Sequence, residues 1–211
     1  MNMRRVILKA CAQVSGYLTI LAFCTIPLGS IAEDTGTISG SVGSRLIRRA
    51  PAVVYIEKIP GKEYPTAEKH AMMDQVDLRF TPHVLPVLAG TTVDFPNSDT
   101  VRHSVFSTRK SVQKLNLGTY DAGVTRHIVM DIPGRTTLLC NVHAEMSAYI
   151  LTVETPFFAT TDRNGRYEIK NVPVGTHKLT VWHERLKPRT VEVEIKAGET
   201  TQVTFEKLKK R

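Results

Sequence analysis

Thr136-Thr137-Leu138-Leu139-Cys140-Asn141-Val142-His143-Ala144-Glu145-Met146 is the stretch on which the reading of this chain turns. Its first five residues favour a pleated, half-buried surface, so the run predicts a strand over Thr136 to Cys140. The next six put an imidazole and a thioether close behind the Cys140 thiol. On a helix, Cys140, His143 and Met146 would fall at i, i+3 and i+6, and the outer two would not share a face. The spacing therefore predicts one short loop that turns His143 and Met146 back toward the sulfur. Soft sulfur donors with imidazole are a set that copper favours, and a trigonal His2Cys plane with a long axial Met needs a second His from elsewhere. His103, in Asn97-Ser98-Asp99-Thr100-Val101-Arg102-His103-Ser104-Val105-Phe106, is the candidate.

Cysteine usage sharpens this expectation. The chain has three Cys, and Cys11 and Cys24 fall in an N-terminal segment with the parts of an export signal in order: basic Arg4, Arg5 and Lys9, apolar Gly16 to Leu28, and small residues at Ser30 and Ala32. Cleavage is expected after Ala32. The Sec route is the primary expectation, while Arg4-Arg5-Val6-Ile7-Leu8-Lys9 also resembles a twin-arginine signal, with Ile7 where Phe is usual. The apolar run is shorter than the roughly 20 residues that span a bilayer, so no stable membrane span is expected after cleavage. Cys140 then remains as the one thiol of an exported chain, which marks it as reactive or metal-binding.

The whole chain carries 28 basic and 20 acidic residues. Three basic and no acidic residues lie in 1–32, so the remainder is about +5, a balance that suits an acidic protein partner or a membrane surface. Basic residues crowd Arg45 to Arg49 and Lys207 to Arg211 without the interleaved aromatics of a nucleic-acid groove. These read as solvated faces, and no nucleic acid is expected as a partner.

Strand signals run through the remaining 180 or so residues, enough for one large or two small domains. Thr35 to Val42 alternates, Val53 to Ile56 is β-branched, and Val84 to Phe95 reads as two strands broken at Ala89-Gly90. Ile128 to Ile132 and Ala148 to Val153 continue the pattern, and only Thr66 to Gln75 suggests a helical turn or two. Toward the C-terminus, Asp162-Arg163-Asn164-Gly165 predicts a hairpin between Phe158–Thr161 and Tyr167–Ile169. Further turns at Asn171–Gly175 and Ala197–Glu199 set off strands over 177–183, 190–195 and 201–205. Five short strands in some 50 residues predict a small β-sandwich. The expected organisation is a signal at 1–32, N-terminal strands and a linker at 33–73, a metal unit at 74–154 and a sandwich at 155–211. Residues 33–60 would suit either unit.

Two resemblances follow from these motifs. Residues 80–153 resemble a cupredoxin, the blue copper family, through Phe80-x-Pro82, Val87-x-x-Gly90-Thr-x-Val93-x-Phe95-x-Asn97, His103-Ser-Val-Phe106, Pro133-Gly134 and Cys140-x-x-His143-x-x-Met146. The two-residue gaps of that last loop are similar to those of amicyanins. Residues 157–205 resemble the carboxypeptidase regulatory-like, or transthyretin-like, sandwich through Thr161-Asp162-x-Asn164-Gly165-x-Tyr167-x-Ile169-x-x-Val172-Pro173-x-Gly175-x-His177-x-Leu179-x-Val181. Together they imply an all-β chain: a cupredoxin Greek-key β-sandwich followed by a smaller C-terminal β-sandwich.

The first resemblance implies one mononuclear type 1 copper site. His103, Cys140 and His143 would form its plane, Met146 would be axial, and electrons would pass through an exposed edge of His143. Asn97 and the backbone N–H of Ser104 are the candidates to hydrogen-bond the ligand loops and the sulfur. The family usually has Asn after the upstream His, where this chain has Ser104, and Glu145 stands where an apolar residue is common. Periplasmic one-electron transfer with a redox partner protein is the expected function, and copper storage or delivery by the same ligands is the alternative. An enzyme is not expected: a four-ligand site leaves no open position, and neither a small-molecule substrate site nor a second His cluster stands out. His70, His83, His127, His177 and His183 read as structural.

Overall fold

The computed structural model describes residues 34–66 and 68–211, and the expected export signal with Cys11 and Cys24 lies outside them. Eighteen elements follow in chain order: β1 (Thr35–Val42), η1 (Arg45–Arg48, a 3-10 turn), β2 (Val53–Ile56), β3 (Ala71–Met72), β4 (Asp74–Val76), β5 (Arg79–Thr81), β6 (Val84–Leu88), β7 (Thr91–Pro96), β8 (His103–Ser107), β9 (Asn116–Tyr120), β10 (Thr125–Met130), β11 (Gly134–Leu139), β12 (Ser147–Val153), β13 (Phe158–Thr160), β14 (Arg166–Pro173), β15 (Gly175–His183), β16 (Leu186–Ile195) and β17 (Thr200–Phe205). The described residues are all-β, as expected, and no helix among them is long and apolar enough to cross a membrane.

Two sandwiches result. In the first, sheet β6-β12-β11-β8-β9 faces sheet β10-β7-β3 across a core that includes Val87, Val93, Phe95, Val105, Met130, Leu138 and Ile150. In the second, β13-β2-β15-β16 faces β14-β1-β17 across Ile38, Val54, Ile56, Ile169, Leu179, Val181, Val193 and Phe205. The strands at 35–42 and 53–56, free by sequence to join either unit, pair with C-terminal strands: β1 between β14 and β17, β2 between β13 and β15.

A third cluster joins the sandwiches back to back. Val53, Val84, Leu151, Val153 and Trp182 are buried where the five-stranded sheet meets the four-stranded one. Strand pleating explains how one strand serves two cores. On β12, Ala148 and Ile150 enter the first core while Leu151 and Val153 enter the seam; on β2, Val54 and Ile56 enter the second core while Val53 enters the seam. That is why 148–153 reads as a nearly continuous apolar run instead of an alternation.

Three expectations need correction. Among the described residues of 66–75 there is no helix: Met72 is exposed while Met73 and Gln75 are fully buried, an alternation of period two that places β3 beside β7 and β4 beside β5. The Asp162–Gly165 turn does not close a hairpin, because β13 pairs with β2 and β14 with β1, so the chain crosses between sheets there. Thr161 fixes the departure: its N–H donates to Ala52 O at 2.9 Å, and its hydroxyl accepts from Ala52 N at 3.0 Å. Gly165 still needs its positive φ of +83°, and a Cβ there would lie 2.5 Å from Val42 O. Cys140 lies one residue past the end of β11. Five strands, β3, β4, β5, β8 and β9, are additional to those read from sequence.

Candidate metal centre

Two chain segments meet at one end of the first sandwich. His103 opens β8, which pairs with β11 through Phe106 and Leu139, so His103 and Cys140 stand at neighbouring ends of adjacent strands. The loop 140–146 then turns back, closed by Met146 N–H donating to His143 O at 3.1 Å. His103 is fully buried, Cys140 is 5% exposed, and His143 is partly exposed. Met146 is buried in the same core cluster as Cys140.

The donor atoms converge. His103 Nδ1 lies 3.0 Å from His143 Nδ1 and 4.0 Å from Cys140 Sγ, and one donor from each of the three residues falls within 4.8 Å of the others. An ion held about 2.0 Å from each nitrogen and about 2.3 Å from sulfur spans donor pairs up to about 4.0 and about 4.3 Å apart. The two His103 separations meet that test, and the widest pair needs a contraction of about half an ångström. Two imidazoles and a thiol suit copper or zinc, and a Met close by favours copper. Among the described residues this is the group of three or more His, Cys, Asp or Glu placed to hold a metal ion.

Surrounding bonds hold the trio in place. The Ser104 N–H donates to Cys140 Sγ at 3.4 Å, while the Ser104 hydroxyl accepts from Asn141 N at 2.7 Å and lies 3.8 Å from the sulfur. Asn97 does not approach the sulfur. Its side-chain N–H groups donate to Val101 O at 2.9 Å and Tyr120 O at 3.3 Å, and its Oδ1 accepts from Asp99 N at 3.2 Å, which fixes the loop leading into His103.

Asp99 is the site residue that the sequence reading passed over. Its Oδ2 lies 3.0 Å from His103 Nε2, and its carboxyl is held down to about 2, first by the Leu78 N–H, then by the Thr100 N–H, then by His103. The signal in the sequence was a carboxylate four residues before the His. Glu145 is exposed in the loop.

The other histidines are accounted for elsewhere. His70 contacts Asp94 at 3.0 Å, and His83 contacts Glu184 at 2.9 Å across the seam. His177 and His183 meet the carbonyls of Pro173 at 2.7 Å and Ala50 at 3.2 Å, and burial pushes His183 below the usual imidazole range. His127 is exposed on β10.

Residues 144–207 match the carboxypeptidase regulatory-like domain, a match that begins inside the loop before β12. No curated protein matches. Among solved structures, a purple cupredoxin from Nitrosopumilus maritimus is 22% identical over 39% of this chain and 98% of its own, with a TM-score of 0.36. A copper-containing nitrite reductase from Thermus scotoductus SA-01 is 19% identical over 55% of this chain and 28% of its own, with a TM-score of 0.40. An amicyanin variant in the Cu(I) form is 16% identical over 45% of this chain and 96% of its own, with a TM-score of 0.38. The chain therefore carries a segment similar to the carboxypeptidase regulatory-like domain, and its first sandwich brings His103, Cys140 and His143 together.

Proposed function

We propose that this chain is an exported type 1 copper protein acting in one-electron transfer, in which His103, Cys140, His143 and Met146 would hold the metal. The observation that carries the reading is the convergence of those three donors at the end of a rigid sandwich, with two of them buried. Copper bound there supplies a one-electron couple. The protein's part is positional. Strands β8 and β11 fix His103 and Cys140, the Ser104 N–H donates toward the sulfur, and the surrounding apolar core keeps water from it. His143 presents its partly exposed ring toward solvent, which makes its edge the route for an electron to a redox partner protein. Non-enzymatic action, a single metal per chain and a periplasmic location belong to the same proposal.

A second reading, copper storage or delivery, is supported by the exposure of Val142, Ala144 and Glu145 around His143, which favours exchange of a metal through the loop. Colour separates the two. Residues 33–211 titrated with Cu(II) are expected to develop an intense thiolate-to-copper band that Cys140→Ala abolishes. Tight Cu(I) binding without such a band would give the carrier reading instead.

A further inference from the structure

We propose that Asp99 is the positioning residue of this site: its carboxylate holds His103 in the tautomer whose Nδ1 faces Cys140 and His143, and its charge biases a bound copper toward Cu(II). The second half rests on the copper reading above; the first half is a property of the chain by itself.

The argument starts from proton bookkeeping on a buried ring. A neutral imidazole carries one N–H, and an ionised carboxylate can only accept. With His103 Nε2 3.0 Å from Asp99 Oδ2, the ring proton belongs on Nε2, and Nδ1 is left with a free lone pair. That lone pair points at the place where the Cys140 sulfur and His143 Nδ1 converge. The opposite tautomer would put a hydrogen among the donors and leave a bare lone pair against a carboxylate.

Asp99 is built to do this. Its Oδ2 also accepts from the Leu78 N–H at 2.8 Å, and its Oδ1 accepts from the Thr100 N–H at 2.7 Å. Its own N–H donates to Asn97 Oδ1 at 3.2 Å, and its side chain is 11% exposed. Two segments, the turn at Leu78 and the loop 97–100, therefore aim one carboxylate before any ligand arrives. His143, whose ring reaches the same centre from the other side, has no carboxylate partner among the described residues. The two histidines are thus unequal by design: one is fixed and carries a negative charge behind it, the other is partly open to solvent. A full negative charge one ring away from the donor atoms favours the more highly charged metal state, and partners of this kind orient the ligand they touch.

The test compares wild type with Asp99→Ala and Asp99→Asn. In the metal-free protein, ring-nitrogen NMR of His103 should show the Nε2–H tautomer in wild type and a mixture in Asp99→Ala. In copper-loaded protein, Asp99→Ala should bind Cu(II) about tenfold to 100-fold more weakly. A tenfold loss confined to Cu(II) raises the potential by about 59 mV. Asp99→Asn keeps the size and an acceptor oxygen, so it should restore the tautomer while the potential stays raised; it also carries the test if Asp99→Ala fails to fold by circular dichroism. Retention of the Nε2–H tautomer in Asp99→Ala would overturn the positioning role. A Cu(II) to Cu(I) preference unchanged within twofold in Asp99→Asn would overturn the charge bias, and so would a wild-type protein that takes up no copper, although the tautomer measurement would then still decide the positioning.

Discussion

Between β10-β7-β3 and its five-stranded partner lie Gln75, Asn97, His103, Ser104 and Tyr120, all buried, with Gln75 and Asn97 both bonded to Tyr120, whereas the core between β14-β1-β17 and β13-β2-β15-β16 is mainly aliphatic and aromatic, its buried His177 and His183 each meeting a backbone carbonyl. The first unit also keeps buried side-chain oxygens without partners, Gln75 Oε1, Thr91 Oγ1, Thr136 Oγ1 and Thr152 Oγ1, each costing about 1–3 kcal/mol. The difference teaches where position and stability come from in this chain. Apolar burial is non-directional, so it stabilises without aiming anything. Hydrogen bonds aim groups but return little net energy. The first unit spends its interior on placing His103 and Cys140, and the seam of Val53, Val84, Leu151, Val153 and Trp182 couples it to the second unit.

The strongest way to test that division is to damage the second core and watch the first. Phe205, on β17, is 1% exposed and packs near Tyr167. Phe205→Ala should cost about 3–5 kcal/mol in urea unfolding followed by circular dichroism. The thiolate-to-copper band of the folded fraction should keep its position. A shifted band would mean that the second unit aims ligands through the seam, and the comparison would fail.

A smaller effect of opposite character is expected from Asn97→Ala. That change strips the partners from Val101 O, Tyr120 O and Asp99 N, and should cost about 2–3 kcal/mol. Unlike Phe205→Ala, it should also move the band, because the loop it releases carries Asp99 into His103. Loss of stability with an unmoved band would show that the polar interior of the first unit is packing like any other.

The part of this architecture legible in the sequence is the part written in local chemistry. Alternation in 35–42, the break at Ala89-Gly90 and the gaps in Cys140-x-x-His143-x-x-Met146 each reflect neighbours along the chain, and the strands and the His103, Cys140 and His143 trio follow. Asp162–Gly165 was legible as a turn but not as a crossing between sheets, because the partner of β13 is β2, about a hundred residues earlier. Asp99 escaped for a related reason: an Asp among Asn, Ser and Thr has the composition of an ordinary turn, and only the fold brings the Leu78 N–H to its other side. Asn97 was read, with the Ser104 N–H, as a partner for the ligand loops and the sulfur; it bonds the loop leading into His103, while Ser104 takes the sulfur.

The mildest test sets one tyrosine from each unit against the other. Tyr120 donates to Phe95 O at 3.0 Å and Tyr167 to Val203 O at 2.8 Å. Burial raises both hydroxyls above the ordinary value of 10. For Tyr120 the rise stops at about 12, because the Gln75 amide at 2.5 Å and the charge of Arg126 oppose it, while for Tyr167 burial acts without opposition and carries it higher. An unfolded chain releases these protons near pH 10 and the folded one does not, so both contributions are intact below pH 10 and are lost as pH rises. Each approaches a slope of about 1.4 kcal/mol per pH unit. The Tyr120 slope should level off near pH 12, as its hydroxyl ionises in the folded state, while that of Tyr167 continues. Urea midpoints between pH 9 and 12, compared for Tyr120→Phe and Tyr167→Phe, should show the alkaline decline relieved more by the second substitution than by the first. Equal relief would mean that the Gln75 bond does not ease ionisation, and that the polar interior of the first unit is no more accommodating to charge than the apolar interior of the second.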